Sequence, residues 1–245
     1  MSAAADWRAA TRIAAPRYDA AALTAWFARV DPAPLIRSGM PMIPAPTWDR
    51  GALSALFGLD NPNHCFHVAP HRWATFHEPQ ITGGFAHFLN SGDHRQRLAR
   101  AVAFVKATAT CAGADPKFID DFDATFARCV AEENRTDLLV ELRRGEQRIG
   151  AAVEAKFGHL LTTGQLPKAE QTITDLGAKP EDFIRLIVAP DPLHVDKVIL
   201  RDEGENWTTM SWSGLLGSLE RHIAPGTADC ADYRRFRRTV WHRAY

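Results

Sequence analysis

The chain is expected to fold as an α/β protein with a mixed central sheet flanked by helices, and three features of the sequence point there. Apolar side chains recur at helical spacing up to about residue 107. From about residue 122 the period shortens to strand-like alternation through three consecutive segments. A helical stripe then returns, followed by a short apolar run that suits a buried strand. Helices, three strands, helix, strand, helix is the order of a sheet covered on both faces.

The elements follow in order. Residues 19–29 align Ala22, Leu23, Trp26 and Phe27 on one helical stripe, and a Pro-rich connection over 31–51 follows. Residues 1–74 are therefore expected to form a helical and irregular N-terminal extension. A helix is expected to open at Pro79, with Ile81, Phe85, Phe88 and Leu89 inward and Gly83 and Gly84 weakening it; a second covers 94–107. DATFARCVAEE, RTDLLVEL and QRIGAAVEAKF read as three strands, the last two joined by the turn Arg143-Arg144-Gly145-Glu146. A helix from Gln165 buries Leu166, Ala169, Ile173 and Leu176 and stops at Gly177. DFIRLIVAP and HVDKVIL are the next strand candidates, and 211–223 is helical through Leu215, Leu216, Leu219 and Ile223. The expected organisation is a single domain, 1–245, with its core in 75–224 and a basic C-terminal helix in 225–245.

The composition is that of an ordinary globular protein. Of 245 residues, 46% are apolar and 24% charged, and 29 basic side chains balance 29 acidic ones. Wholesale disorder, a collagen repeat and a globally basic nucleic-acid coat are excluded. The four cysteines, Cys65, Cys111, Cys129 and Cys230, form no C-x-x-C pair, so neither a zinc ribbon nor a disulfide framework is written there. Reduced thiols, a cytoplasmic location and no membrane partner are the expectation. No phosphate-binding P-loop, dinucleotide fingerprint or G-x-S-x-G elbow occurs, which removes support for motor, Rossmann-cofactor and α/β-hydrolase chemistry.

The chemistry-bearing segment is RTDLLVELRRGEQRIGAAVEAKFGH. Side chains alternate along a strand, so Val153, Ala155 and Phe157 share one face and Glu154 and Lys156 the other. The hairpin carries Asp137 onto the neighbouring strand. Two carboxylates and the Ala155 backbone carbonyl make an all-oxygen donor set, which suits Mg²⁺, with Mn²⁺ able to substitute, better than zinc. The adjacent Lys156 ammonium can hold an attacking water or neutralise charge developing on a phosphate. On an exposed strand a Glu-x-Lys is ordinarily a solvated ion pair. Here the flanking Ile149, Gly150, Ala151, Ala152 and Val153 mark a strand buried on both faces, where charges are expensive unless paired or ligating.

These residues resemble the core of the PD-(D/E)xK nuclease superfamily, the restriction-endonuclease-like fold. Arg135-Thr136-Asp137, Val153-Glu154-Ala155-Lys156 and Gln165-Leu166 stand in the order of its second strand, third strand and following helix, and His77-Glu78-Pro79 resembles the glutamate of its first helix. The chain departs from the pattern at Thr136, where Pro is usual, and at Ala169-Glu170, where a Tyr is usual. The resemblance covers roughly 75–220. It implies an αβββαβ core, Mg²⁺ held by Asp137, Glu154 and the Ala155 carbonyl with Glu78 as an outer or second-site ligand, a water positioned by Lys156, and a water or phosphate oriented by Gln165. It further implies a metal-dependent nuclease hydrolysing DNA in bacterial defence or DNA repair, a homodimer, and a separate ATPase, helicase or defence-system partner. The alternatives are an RNase, or a catalytically inactive or partner-dependent nucleic-acid-binding or structural protein on the same fold.

Two other regions bear on nucleic acid. Residues 221–245 hold six Arg against two Asp, whereas 115–146 hold nine acids against five bases. Arg234, Arg235 and Arg238 on the terminal helix, and Arg143 and Arg144 in the hairpin turn, are the candidate phosphate contacts; pairing of the helix with the acidic segment is the plain alternative. His64, Cys65, His67, His71 and His77 are of ligand type, but their spacing matches no familiar zinc site. An irregular segment near the cleft, with His71 or Arg72 touching phosphate, is the expectation there.

Overall fold

A computed structural model describes residues 61, 63–70, 77–133, 136–157, 160–192, 195–224 and 226–244. The chain divides into two compact units, residues 1–67 with Tyr245, and residues 68–244. The described part of the first unit is a short 3₁₀ turn, Cys65–His67, closed by a 3.0 Å bond from the His67 N–H to the His64 carbonyl. The N-terminal stripe at 19–29, the Pro-rich connection, His71 and Arg72 lie outside the described residues.

The second unit is α/β. Its sheet has five strands in the order β1-β2-β3-β4-β5: β1 (Phe126–Glu133), β2 (Thr136–Arg144), β3 (Gln147–Ala155), β4 (Phe183–Ala189) and β5 (Thr208–Ser211). The first three are antiparallel neighbours, while β4 runs parallel to β3 and β5 parallel to β4. A mixed sheet results because only short connections separate β1, β2 and β3, which pair antiparallel, whereas the β3–β4 connection crosses over through a helix.

That crossover is α4 (Gln165–Asp175), entered through Gly164 at φ 84° and closed by Gly177 at φ 72°. It packs Leu166, Ala169 and Ile173 against Leu139, Ala152 and Ile187 on one face of the sheet. The opposite face is covered by α1 (Glu78–Asn90), α2 (His94–Cys111) and α6 (Trp212–His222), and α7 (Ala231–Arg243) packs on α1 and α6. Alternation divides β3 cleanly between the two: Ala151, Val153 and Ala155 join the larger core, and Ala152 joins the smaller. Burial on both faces is what the small, apolar run of this strand predicts.

Local capping sets the helix starts. Asp93 caps α2 by accepting the Gln96 N–H at 2.8 Å, and Gln80 returns its side-chain oxygen to the His77 N–H at 2.9 Å at the head of α1. Gly84, a poor helix former in the middle of α1, stands where a Cβ would collide with the Phe236 ring of α7. The weakness read in the sequence is thus the space for a helix–helix contact.

Two sequence expectations need correction, and two elements went unread. HVDKVIL is not a strand: Asp196 accepts the Val198 N–H at 2.8 Å and starts a helix, α5 (Lys197–Glu203). The capping carboxylate outweighs the short apolar pattern. The helix expected over 94–107 continues to Cys111, because its first stop signal is Gly113 at φ 76°. A short helix, α3 (Lys117–Phe122), and the four-residue β5 have too little pattern to be read from sequence.

The terminal helix is held by buried charge. Arg237, fully buried, donates to Glu220 at 2.6 Å and to Asp229 at 3.0 Å, and its guanidinium lies 4.3 Å from the Tyr233 ring centroid. Removing one member of such a set leaves the rest uncompensated. Arg237→Ala is expected to lower the unfolding free energy by about 3–5 kcal/mol in urea titrations. The same change at exposed Arg235 should stay within about 0.5 kcal/mol.

Candidate active site

The site forms where β2 begins and β3 ends. The backbone ladder between these strands is last closed by the Leu138–Val153 pair. One step further, the Asp137 side chain takes over: its Oδ2 accepts the Ala155 N–H at 2.8 Å. The N–H and C=O of one strand residue project to the same side, so the Ala155 carbonyl also faces Asp137. The start of β2 is pinned to α4 by a 3.0 Å bond from the Thr136 hydroxyl to the Thr172 hydroxyl.

Glu154 and Lys156 emerge on the α4 face, as alternation requires. Lys156 Nζ donates to Glu154 Oε1 at 2.6 Å and stands 3.5 Å from Asp137 Oδ2 and 3.7 Å from Glu78 Oε1. Glu78, the first residue of α1, also accepts the Phe157 N–H at 3.0 Å through Oε2. Three carboxylates from three elements therefore converge on one ammonium.

The lysine is held at both ends of its peptide unit. Its N–H donates to the Val188 carbonyl of β4 at 2.7 Å, and its C=O accepts the Trp212 indole N–H at 3.0 Å. Trp212, buried at the head of α6, stacks on the Phe157 ring with centroids 4.5 Å apart. Lys156 and Phe157, which follow β3, are thus held in place. Sequence reasoning missed Trp212; the only signal was an apolar residue next to Ser211, the hydroxyl that caps α6.

Burial decides the electrostatics. Glu154 is 0% exposed, Lys156 5% and Asp137 8%. Burial raises the Glu154 carboxyl to about 8, with the neighbouring Asp137 charge adding to the effect. Burial also raises Asp137, against the pull of Lys156 and the Ala155 N–H. For Lys156, burial acts downward but the summed attraction of Glu154, Asp137 and Glu78 exceeds it, so the ammonium is favoured. Glu154 Oε2 is buried with no hydrogen-bond partner.

In donor type this set suits a hard divalent cation, with its three carboxylates gathered around the ammonium rather than within 4.8 Å of one another. Three carboxylates against one ammonium leave two negative charges, Glu154 Oε2 has an open lone pair, and all the donors, the Ala155 carbonyl included, are oxygen.

The other candidates are placed differently. Gln165 opens α4 as expected, and its side-chain oxygen accepts the Thr162 N–H at 2.8 Å. Arg143 lies over the Phe126 ring at 4.0 Å and Arg144 donates to Gln147 at 2.9 Å. Both stand at the far end of the β2–β3 pair, roughly 20 Å (Arg143) and 23 Å (Arg144) from Asp137 at about 3.3 Å per residue. Arg234 is engaged by Asp229 at 2.6 Å and Arg238 is 4% exposed, so these two do not form the surface track read from the sequence; Arg235 is exposed. The wrong premise was that a run of arginines on an amphipathic helix is solvated: buried Asp229 and Glu220 draw part of it inward. Arg135 lies outside the described residues.

Comparison with known proteins finds no matching family model, no matching curated protein and no matching solved structure.

The raised Glu154 carboxyl makes stability depend on pH with a definite sign. The unfolded chain loses this proton near 4.5 and the folded, metal-free protein near 8, so between those values the folded state holds the extra proton. Stability in EDTA should therefore fall as pH rises from about 4.5 to about 8 and level off above, by linkage. Thermal melts in EDTA should show this slope in the wild type and lose much of it in Glu154→Gln. Mg²⁺ should restore stability at the alkaline end.

Proposed function

We propose that this protein is a Mg²⁺-dependent nuclease of the restriction-endonuclease-like type that hydrolyses phosphodiester bonds of DNA. The observation that carries the reading is the buried convergence of Glu78, Asp137 and Glu154 on Lys156, with an orphaned Glu154 oxygen. A buried ionic cluster with excess negative charge is a costly arrangement for a protein that only needs a scaffold. The element order, a helix group, three antiparallel strands, a crossover helix and a parallel strand, supports the fold assignment.

In this reading Asp137, Glu154 and the Ala155 carbonyl hold the cation, and Glu78 completes or extends its shell. The bound cation supplies Lewis-acid stabilisation of the charge that builds on the phosphoryl oxygens. Lys156, kept cationic by its carboxylate neighbours, is suited to orienting the attacking water and favouring its ionised form rather than to accepting a proton. Trp212 and Val188 fix the lysine backbone, so its reach is set before substrate arrives. Glu78 spans the lysine and the Phe157 amide and thereby ties α1 to the end of β3.

The test pairs cleavage with metal binding. Wild type, Lys156→Ala and Glu154→Ala are incubated with supercoiled, linear and single-stranded DNA and with RNA, in Mg²⁺, Mn²⁺ or EDTA, and cation binding is followed by calorimetry. The expected result is metal-dependent DNA cleavage, reduced at least about a hundredfold in Lys156→Ala, with cation binding lost in Glu154→Ala. Cleavage of RNA alone would move the substrate class. Wild-type protein that neither binds cation nor cuts would sink the catalytic reading.

A further inference from the structure

Strand β1 carries a strained residue beside the site. Glu132 has φ 57°, a left-handed conformation that is costly for a residue bearing a Cβ and persists only where its surroundings enforce it. Register sets it across from Asp137, between the Ala131–Leu138 and Glu133–Thr136 pairs. Val130 packs on the smaller core and Ala131 on the larger, so plain alternation would send the Glu132 side chain to the α4 face. Its Oε1 instead accepts the Thr82 hydroxyl of α1, on the other face, at 2.8 Å.

That bond is one half of a clamp. At the far end of α1, Asn90 accepts the Cys129 N–H at 3.0 Å and donates to the Cys129 carbonyl at 2.5 Å. From Thr82 to Asn90 the helix rises about 12 Å, and from Glu132 back to Cys129 the strand covers about 10 Å. The spans match, so α1 runs against β1 with its axial setting fixed at two points. Glu78 stands one turn before Thr82, about 6 Å beyond the clamp. There its carboxylate lies 3.7 Å from Lys156 Nζ and accepts the Phe157 N–H at 3.0 Å.

We propose that Glu132 is a positioning residue of the site: through Thr82 it sets α1 so that Glu78 reaches Lys156 and the cation. The inference rests on the reading of Asp137, Glu154 and Lys156 as a metal-dependent nuclease centre. Fold stability alone gives little reason for the bond. Thr82 Oγ1 also lies 3.2 Å from the Glu78 and Pro79 carbonyls of its own helix, so the hydroxyl keeps an acceptor without Glu132. Glu132 is exposed, and water would satisfy its carboxylate without the strained backbone. What the arrangement adds is alignment, and groups at a reacting centre tolerate displacements of only about 0.5 Å.

The experiment compares wild type, Glu132→Ala, Glu132→Gln, Glu132→Gly, Glu78→Ala and the double variant Glu132→Ala/Glu78→Ala, all as full chains. Mg²⁺ and Mn²⁺ binding is measured by calorimetry and melting in EDTA by circular dichroism. Cleavage of supercoiled DNA gives kcat and KM over a range of Mg²⁺. Glu78→Ala should weaken cation binding about tenfold and Glu132→Ala about fivefold. The Mg²⁺ needed for half-maximal cleavage should rise in proportion, with KM for DNA unchanged. The double variant should bind no more weakly than Glu78→Ala, because both changes remove one contribution. Glu132→Gln keeps an acceptor oxygen and should bind cation as wild type does. Glu132→Gly relieves the backbone, so it should melt above Glu132→Ala yet bind cation just as weakly.

Additive losses in the double variant overturn the proposal, since Glu132 would then act apart from Glu78. Glu132→Gln failing as Glu132→Ala does also overturns it, assigning the effect to charge alone. So does wild-type cation affinity in Glu132→Ala; if Glu154→Ala still abolishes binding, the site reading stands. Losses of melting temperature and cation affinity that Glu132→Gly reverses together overturn it as well, making the residue a structural brace. Wild-type protein that neither binds cation nor cuts removes the underlying reading, and this proposal with it.

Discussion

The structure turns on one costly feature, the Glu154 carboxylate at 0% exposure in the middle strand of a five-stranded sheet. Desolvating an ionised carboxylate costs several kcal/mol unless partners compensate. Lys156 compensates through a 2.6 Å bond, but it is shared with Asp137 and Glu78. One ammonium cannot neutralise three carboxylates, so part of the excess is met by proton uptake. Burial first, with the neighbouring Asp137 charge adding to it, is why Glu154 titrates far above an ordinary carboxylate.

The sheet topology explains why the charges meet at this point and no other. An antiparallel hairpin aligns the start of β2 with the end of β3, which puts Asp137 beside Glu154. A parallel neighbour ends alongside β3, which buries the other edge of the same residues. The carboxyl end of a strand beside a parallel partner is the usual opening for a ligand in α/β sheets. Here the β2–β3 ladder gives out at the same residues, and Asp137 repairs it with its side chain at the Ala155 N–H. That oxygen also stands 3.5 Å from Lys156 Nζ, so one carboxylate both closes the ladder and joins the ionic cluster.

Much of this was legible in the sequence because it is governed by local period. The two-residue alternation through Val153, Glu154, Ala155, Lys156 and Phe157 fixes faces without any tertiary information, and Gly145 and Gly177 mark turns by backbone conformation. Glu78 and Gln165 were placed correctly at the heads of their helices, but whether each side chain looks into the cluster is a tertiary matter. Glu78 does, and Gln165 spends its oxygen on Thr162. Trp212 was beyond reach for a related reason. Its indole meets the Lys156 carbonyl across 56 residues of sequence, and a helix stripe tells only that it is inward. Asp196 shows the opposite limit, a single capping carboxylate overriding an apolar pattern that reads as strand.

The terminal helix shows how charge composition misleads when burial is unknown. A window with six arginines against two aspartates suggests an electrostatic face for nucleic acid. In the folded chain Arg234 and Arg237 converge on Asp229, and Arg237 also reaches Glu220. Much of the excess charge is therefore used to dock α7 onto its neighbours, among aromatic rings such as Tyr233. A cation buried in an ion pair has little field left to steer a polyanion, whereas one at the surface keeps it. Net charge over the window is the same in either case. The side chain that matters to a substrate is identified by its exposure and its distance from the reacting groups.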